Sequence, residues 1–320
     1  MTRYLAQRVL LLLPTLIGVT LIVFALVRIV PGGIVSALLG QDGTPQKAKE
    51  LTHALGLDKP IIEQYGIYLR NVLHGNLGTS YFTQRSIGLD ISQRIGWTFE
   101  LGSFALLFSL IIALPVGVLS AVKQDSFWDF IARSTAITAL AIPSFWLGTL
   151  FIVYGSIGLH IGPLYIHFTP PLGDQISSNL ANNLKLIIPP ALILGFGLSG
   201  SVMRLTRTQM LEVMRQDYIR TARAKGLGTN RVVMRHALKN ALIPVITIIG
   251  LQVPILVGGS VILEQIFSLP GVGYYLIQGI NQRDYAIIQG VVLISATVVI
   301  LSNLLVDLSY SLLDPRIRGA

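Results

Sequence analysis

Apolar runs long enough to cross a membrane recur along the chain and alternate with polar, turn-rich segments. They cover residues 4–29, 99–122, 131–157, 186–203, 241–263 and 285–312. An α-helix needs about 20 apolar residues to cross roughly 30 Å of hydrocarbon. The pattern therefore predicts an all-α integral membrane protein with about six transmembrane helices.

The first apolar run raises the alternative of a cleaved secretory signal peptide. Such a peptide has a shorter apolar region and a small-residue cleavage site. Here residues 9–27 carry no charge, and Pro31-Gly32-Gly33 follows a run of full length. We therefore predict an uncleaved transmembrane helix over residues 1–30.

The polar segments divide the rest of the chain. We predict an extracytoplasmic segment over 31–96, a membrane core over 97–313 with a cytoplasmic loop at 204–240, and a cytoplasmic tail over 314–320. Within the first segment, Gly56 is placed to end a helix and Pro60 to open the next one, over 61–73. Residues 160–185 are rich in Pro, Gly, Asn and Ser, and they predict a loop.

Composition supports the membrane interpretation. The chain has 320 residues, of which 52% are hydrophobic and 12% are charged. Soluble domains carry roughly 25% charged residues, so a soluble protein is excluded. There is no cysteine, which excludes disulfides, thiolate metal sites and cysteine nucleophiles.

The net charge of +9 indicates topology. Cytoplasmic loops of membrane proteins carry an excess of Lys and Arg. Basic residues cluster at both termini, in the 123–133 loop and throughout 204–240, whereas the two short loops on the opposite side hold only Lys185 and Arg283. We therefore place both termini and the basic insert in the cytoplasm.

Two sequence patterns could indicate a nucleotide-binding site or a metal site, but neither has the surrounding sequence that such a site requires. Residues 195–200 match G-x-G-x-x-G, but they lie within an apolar run rather than after a strand, so close helix packing is the better interpretation. No G-x-x-x-x-G-K-[ST] loop occurs, so this chain cannot bind ATP in that way. His160 and His167 are the only histidines that lie close together in sequence, in the predicted 160–185 loop, and a role as polar loop residues explains them better than a metal site.

Polar residues within or beside apolar runs are candidates for a translocation path, because ionisable groups at membrane depth often line one. Gln252, beside Pro254, ranks first. The remaining candidates are Ser260, Glu264, Asn303 and Asp307. The alternative for the acidic members, and for Glu100, is an interfacial or helix-packing role.

The basic insert carries the strongest signal. Leu211, Met214, Tyr218 and Ala222 lie at spacings that predict one face of an amphipathic helix, which Gly226 ends. One alternative is a basic helix lying on anionic lipid. Against it, the apolar face is small, and Ala222, Ala224 and Gly226 would allow another protein's backbone to approach closely.

The insert also resembles a known family. Residues 217–227 (DYIRTARAKGL) and 236–245 (HALKNALIPV) are similar to the cytoplasmic signature of ABC importer permeases of the dipeptide/oligopeptide/nickel group, in particular their first permease subunit. Further matches in the same order lie at 55–60, 75–80, 115–117, 270–273, 283–285, 304–308 and 314–316. Arg220, Thr221 and Lys239 depart from the wider family's Glu, Ala and Pro.

The resemblance implies a type I importer transmembrane domain in a bacterial plasma (inner) membrane. Implied partners are a second permease subunit, two cytoplasmic ATPases that bind ATP and Mg, and an extracytoplasmic solute-binding protein. No cofactor, metal or catalytic residue is expected in this chain. The implied ATPase-coupling residues are Asp217, Tyr218, Arg220, Thr221, Ala222, Arg223, Ala224, Lys225 and Gly226.

The resemblance favours di- or oligopeptides as the substrate, while nickel, glutathione and other small solutes stay open. An ion-gradient-driven secondary transporter would call for inverted repeats and more ionisable residues at mid-membrane. An intramembrane enzyme would need a convergent catalytic set. Neither is visible in the sequence.

Overall fold

The computed structural model describes residues 2–29, 35, 36, 39, 44–161, 164–166 and 180–313. Almost all of this is helical. The helices are α1 (Thr2–Leu26), α2 (Pro45–Ala54), α3 (Ile61–Leu73), α4 (Ile87–Val122), α5 (Phe127–Ala141), α6 (Ser144–Ile157), α7 (Leu180–Met214), α8 (Asp217–Ala224), α9 (Thr229–Arg231), α10 (Leu238–Ile266), α11 (Val272–Gln282) and α12 (Tyr285–Leu313). A π-helical turn, Val232–Ala237, joins α9 to α10.

Within the described residues, four helical stretches are long and apolar enough to cross a membrane: Ile87–Val122, Asn182–Met214, Thr229–Pro254 and Tyr285–Val306. They coincide with the second, fourth, fifth and sixth predicted spans. The pair α5 and α6 makes a fifth if it is counted as one broken span. The described apolar part of α1, Leu10–Leu26, is shorter than the length required. The structure thus supports four or five of the six predicted spans.

The third predicted span is not one straight helix. α5 and α6 meet at an angle of 90°. At the break, Ile142 has φ −86° and ψ 120°, and Pro143 precedes the first residue of α6. Proline disfavours helical geometry in the residue before it and has no N–H to donate, so the helix stops there. The predicted span over 131–157 thus corresponds to two helices separated by a break at Pro143.

The region after α6 was predicted to be a loop. Its described part instead contains a short antiparallel hairpin, in which β1 (Leu159–Ile161) pairs with β2 (Leu164–Ile166) and Leu159 lies opposite Ile166. Most of the remainder of the 160–185 loop, including His167, lies outside the described residues.

The chain divides into two compact units. Unit 1 comprises Met1–Thr98 with Pro270–Leu304, and unit 2 comprises Phe99–Leu269 with Leu305–Ala320. In this division, α11 and most of α12 belong with the N-terminal part of the chain. The two halves of unit 1 share an apolar core formed by Ile87, Ile91, Val272, Tyr275, Ile287 and Val291.

Unit 1 confirms the predicted helix boundaries around Gly56. α2 ends at Ala54, Gly56 takes a positive φ of 63°, and α3 begins after Pro60. α3 packs on α1, where the hydroxyls of Thr20 and Tyr65 lie 2.9 Å apart. The described part of the outer segment is therefore tied to the first helix.

A buried carboxylate joins the two halves of unit 1. Asp284 is fully buried, and its Oδ2 accepts hydrogen bonds from Ser80 Oγ (2.7 Å) and Tyr81 N (3.0 Å). Its Oδ1 accepts from Ile287 N (3.3 Å) in the first turn of α12. These donors satisfy the carboxylate without a cation, and they fix the loop before α4 to the start of α12.

Glycines allow the helices of unit 2 to pack closely. A Cβ added to Gly195 would lie 2.5 Å from the carbonyl oxygen of Ala105, and one added to Gly200 would lie 2.7 Å from that of Ala136. These distances place the backbone of α7 directly against α4 and α5. The interpretation of residues 195–200 as a helix-packing motif is confirmed.

Candidate coupling site

α8 is a helix of eight residues that forms the centre of the basic insert. It follows a turn at Arg215–Gln216, carries Asp217 in its first turn and carries Arg223 in its last. A negative charge at the N-terminus of a helix and a positive charge at its C-terminus both stabilise the helix by interacting favourably with its dipole. Local sequence thus explains why a short polar segment is helical here.

One face of α8 is buried against the rest of unit 2. Ile219 is 0% exposed and Ala222 is 8% exposed. Their apolar neighbours come from the ends of α4 and α7, the π-helical turn and the start of α10: Ala121, Met210, Val232, Val233, Ala237 and Ala241. We call this cluster the seat. It joins α8 to helices on both sides of the insert, so a displacement of α8 acts on all of them.

The other face of α8 is open to solvent. Its exposed residues are Asp217, Tyr218, Arg220, Thr221, Arg223 and Ala224, and Lys225 and Gly226 continue the exposed surface. Arg220 Nη1 lies 3.6 Å from Asp217 Oδ1, and both side chains are largely exposed. Such a pair adds little stability, so these charges are available to a partner.

Two sequence expectations about this helix were wrong. The proposed stripe is interrupted, because Leu211 and Met214 belong to α7 and the turn at Arg215–Gln216 separates them from α8. Tyr218 is 44% exposed, and Ile219 takes the buried position. Ala222 packs into the seat rather than facing a partner, on the same side as Leu211 and Met214 of α7.

The end of α8 is a glycine-dependent cap. Gly226 has φ +79°. Its N–H donates to Arg223 O (2.9 Å), and the Leu227 N–H donates to Ala222 O (3.3 Å). This is the Schellman arrangement, which requires a left-handed residue after the helix. Leu227 then packs against the seat, so Gly226 both ends α8 and returns the chain to the protein.

A hydrogen bond links α8 to α10. Asn240 Nδ2 donates to Tyr218 Oη over 2.8 Å and to His236 O over 3.1 Å. Between these elements lies the π-helical turn, whose Val232, Val233 and Ala237 are buried in the seat. Lys239, one of the departures from the family pattern, is exposed.

Sequence reasoning missed a charged clamp beside the seat. Asp129 is fully buried and accepts from Arg207 Nε (2.8 Å) and Nη2 (2.9 Å), so the pair is bidentate. It also accepts from the Asp125 N–H and from Ser120, the neighbour of Ala121 in the seat. The clamp fixes α4, α5 and α7 to one another. The signal available in the sequence was Asp129 just before the predicted span at residue 131, in a short loop that also holds Lys123, Asp125 and Arg133.

The candidate path residues differ in burial and in hydrogen-bond partners. Gln252 is 4% exposed, and its Nε2 donates to Leu198 O (3.0 Å) and Ser201 Oγ (2.8 Å) of α7. Ser260 and Glu264 are both buried, and Ser260 Oγ donates to Glu264 Oε1 (3.0 Å).

The remaining candidates lie on other helices. Asn303 is exposed, and the side chain of Asp307 lies outside the described residues. Glu100, the remaining acidic candidate, accepts from Asn183 Nδ2 (3.1 Å).

Within the described part of the chain, no group of three or more His, Cys, Asp or Glu side chains is placed to hold a metal ion. The side chains of His160 and His167 lie outside the described residues.

Comparison with known proteins identifies the family. Residues 113–319 match the family described as binding-protein-dependent transport system inner membrane component, and residues 1–101 match its N-terminal companion. The chain belongs to this family. It is accordingly a multi-pass inner-membrane component of a transport system.

Relatives of this inner membrane component extend over its whole length. It is 40% identical to the dipeptide transport system permease protein DppB of Escherichia coli K12, with 99% of each chain covered. It is 41% identical to the di/tripeptide transport system permease protein DppB of Pseudomonas aeruginosa, again with 99% of each covered. The DppB protein of Alkalihalophilus pseudofirmus is 39% identical, with 99% of this chain and all of the relative covered.

A solved structure of the MetNI methionine ABC transporter, in inward-facing conformations, shares the fold of this inner membrane component. The TM-score is 0.56 at 17% identity, and the match covers 71% of this chain and 97% of the other. At this identity the likeness concerns the fold alone. It supports the expected architecture of an ABC importer transmembrane domain.

Proposed function

We propose that this chain is the permease subunit of an ATP-driven importer of di- or oligopeptides. The observation that carries the substrate class is the full-length similarity, at 39–41% identity, to permeases named for dipeptide or di/tripeptide transport. Partner ATPases supply the energy, because the chain has no phosphate-binding loop of its own. A second permease subunit and an extracytoplasmic binding protein complete the assembly.

The topology proposed for this permease has six spans and cytoplasmic termini. α1 contributes the first span and the bent pair α5–α6 the third. The excess of Arg and Lys in 204–240 supports the orientation. The domain boundaries at 30, 96 and 313 are part of this proposal.

α8 is the proposed contact with an ATPase. Its outward face offers Arg220, Arg223 and Lys225 for charge contacts and Ala224 for close approach. Its inward face is joined to α4, α7 and α10 through the seat. ATP-driven movement of the ATPase is therefore passed to several membrane helices at once, and the transport cavity changes its access. No cofactor is needed in this chain for that role.

The proposed translocation path includes Gln252, Ser260, Glu264, Asn303 and Asp307. Gln252 supports it best, because its amide is buried between α7 and α10. A change in the packing of these two helices would alter its hydrogen bonds. Replacing Gln252 with Leu is expected to change the transport rate more than the basal ATPase activity.

The described outer segment is the proposed docking surface for the binding protein. α2 and α3 are amphipathic and exposed, with Ile62 and Leu73 82% and 77% exposed. Replacing both residues with Ser should weaken stimulation of ATPase activity by the binding protein while leaving basal activity unchanged. An equal loss of both activities would count against docking here.

The deciding experiment reconstitutes the complete complex in liposomes. The binding protein is loaded with a dipeptide, with Ni²⁺ or with glutathione, and both ATPase activity and uptake are measured. We expect stimulation by the dipeptide. Stimulation by nickel or glutathione alone would replace the substrate class, and uptake driven by a proton gradient without ATP would refute the importer mechanism.

A further inference from the structure

An apolar cavity with arginines at its rim lies in unit 2 between α4, α5 and α7. Its volume is about 180 Å³. The walls are formed by Val116, Ala132, Ala136, Ile137, Leu140 and Met203. Arg133, Arg204 and Arg207 line it as well. The site thus combines a hydrocarbon wall with a concentrated positive charge.

The charge at the rim is not balanced by protein. Asp129 is the adjacent carboxylate, and the bidentate hydrogen bonds of Arg207 occupy it. Arg133 Nε lies 3.7 Å from Asp129 Oδ1, and its side chain is 49% exposed. Arg204 is exposed, and no carboxylate of the described chain lies within ion-pair distance of it. Two of the three guanidinium groups therefore contact this one carboxylate while Arg204 contacts none of the described carboxylates, and the rim favours an anion.

Exposed aromatic residues place this rim at the membrane surface. Phe127, Trp128 and Phe130 in the first turn of α5 are 70%, 57% and 59% exposed. Tryptophan is enriched at the level of the lipid headgroups, so Trp128 marks that level. About two to three turns farther along α5, Ile137 and Leu140 are exposed apolar residues. The cavity therefore runs from headgroup level, at Arg133, towards acyl-chain level.

We propose that this cavity binds an anionic phospholipid. Arg133 and Arg204 hold the headgroup phosphate, and an acyl chain lies against the apolar wall. A phospholipid supplies in one molecule the anion and the hydrocarbon that the two parts of the site require. Under the proposed topology the lipid belongs to the cytoplasmic leaflet, beside the clamp that braces the seat of α8.

Lipid retention by the whole complex tests the site. The complex is placed in nanodiscs of equal phosphatidylglycerol and phosphatidylcholine, then re-extracted, and the lipid bound per complex is measured by native mass spectrometry. Wild type is expected to be enriched in phosphatidylglycerol. Arg133→Gln with Arg204→Gln should reduce this enrichment by roughly tenfold to thirtyfold, since each basic residue adds about 1 kcal/mol of attraction to anionic lipid.

The matched control is Lys123→Gln with Lys239→Gln, which removes the same charge at exposed positions and should leave the enrichment unchanged. Ala132→Leu keeps both arginines but narrows the cavity, and it is expected to lose the lipid with an unchanged melting temperature. No enrichment in wild type, or equal losses in the control and the arginine pair, would overturn the proposal.

A cysteine probe separates the lipid from other occupants. The chain has no cysteine, so Ile137→Cys provides a single labelling point at the cavity wall. We expect a bilayer-embedded maleimide lipid to label it in the intact complex. A crosslink to the second permease subunit in place of lipid labelling, or displacement of phosphatidylglycerol by inorganic phosphate, would show a different occupant. Because lipid binding is measured without transport, its failure would leave the importer function untouched.

Discussion

The two faces of α8 differ in what holds them, although they belong to the same eight residues. The inward face is apolar, buried and continuous with the seat through Ile219 and Ala222. The outward face is charged and exposed, and its one ion pair, Arg220 with Asp217, is long and solvated. We infer from this difference that the inward face fixes the position of α8, whereas the outward face is available to bind a partner. Substitutions should therefore separate stability from coupling.

The largest effect is expected from the clamp that braces the seat. Arg207→Met removes the bidentate partner of the buried Asp129 carboxylate and leaves only Arg133, 3.7 Å away. Breaking a buried pair costs about 3–5 kcal/mol. Thermal unfolding of the purified complex in detergent should show the loss. The double variant Asp129→Asn with Arg207→Met should recover much of the stability, because no uncompensated charge stays buried. A double variant as unstable as the single one would contradict the clamp.

Ile219→Ala removes apolar packing from the inward face of α8. Removing a fully buried isoleucine side chain from a packed cluster costs about 2–5 kcal/mol. We expect α8 to become protease-sensitive and uptake to fall together with stability. Tyr218→Ala at the neighbouring exposed position is the control, and it should cost much less. Similar losses for the two variants would indicate that the inward face is not the anchor.

Gly226→Val tests the left-handed cap. A β-branched residue at φ +79° costs about 1–2 kcal/mol and misplaces Leu227. Since no atom outside the local chain lies within 4 Å of an added Cβ, the strain is one of backbone conformation. Gly226→Asn, which tolerates this conformation, should retain more coupling between ATP hydrolysis and uptake. Normal uptake in the valine variant would exclude a role for the cap.

The smallest effect on stability is expected from the outward face. Arg220→Ala with Arg223→Ala should change the free energy of unfolding by less than about 0.5 kcal/mol, as exposed substitutions usually do. Binding-protein-stimulated ATPase activity should nevertheless fall, because the charge contacts with the ATPase are lost. The matched pair Arg231→Ala with Lys239→Ala removes the same charge at other exposed positions of the insert. If both pairs behave alike, bulk charge rather than the α8 surface is responsible.

Several features of the fold were predictable because they depend on local sequence. Apolar length located four of the long helices, and the Gly56 and Pro60 signals located the boundary between α2 and α3. Pro143 lies at the break between α5 and α6. Pro115 and Pro254 lie within continuous helices, so a proline alone does not say whether a membrane helix bends or breaks.

The difference between what local sequence determines and what tertiary packing determines is clearest in α8. The sequence by itself determined that a basic, helix-forming insert lies between membrane helices, and that it ends at Gly226, because charge, length and glycine conformation are local properties. Only the tertiary structure decided which face is buried. A turn of two residues interrupts the helix, and Ile219 rather than Tyr218 takes the buried position beside Ala222. The pairing of Asp129 with Arg207 was likewise beyond the sequence, because residues 78 positions apart meet only when α5 and α7 pack.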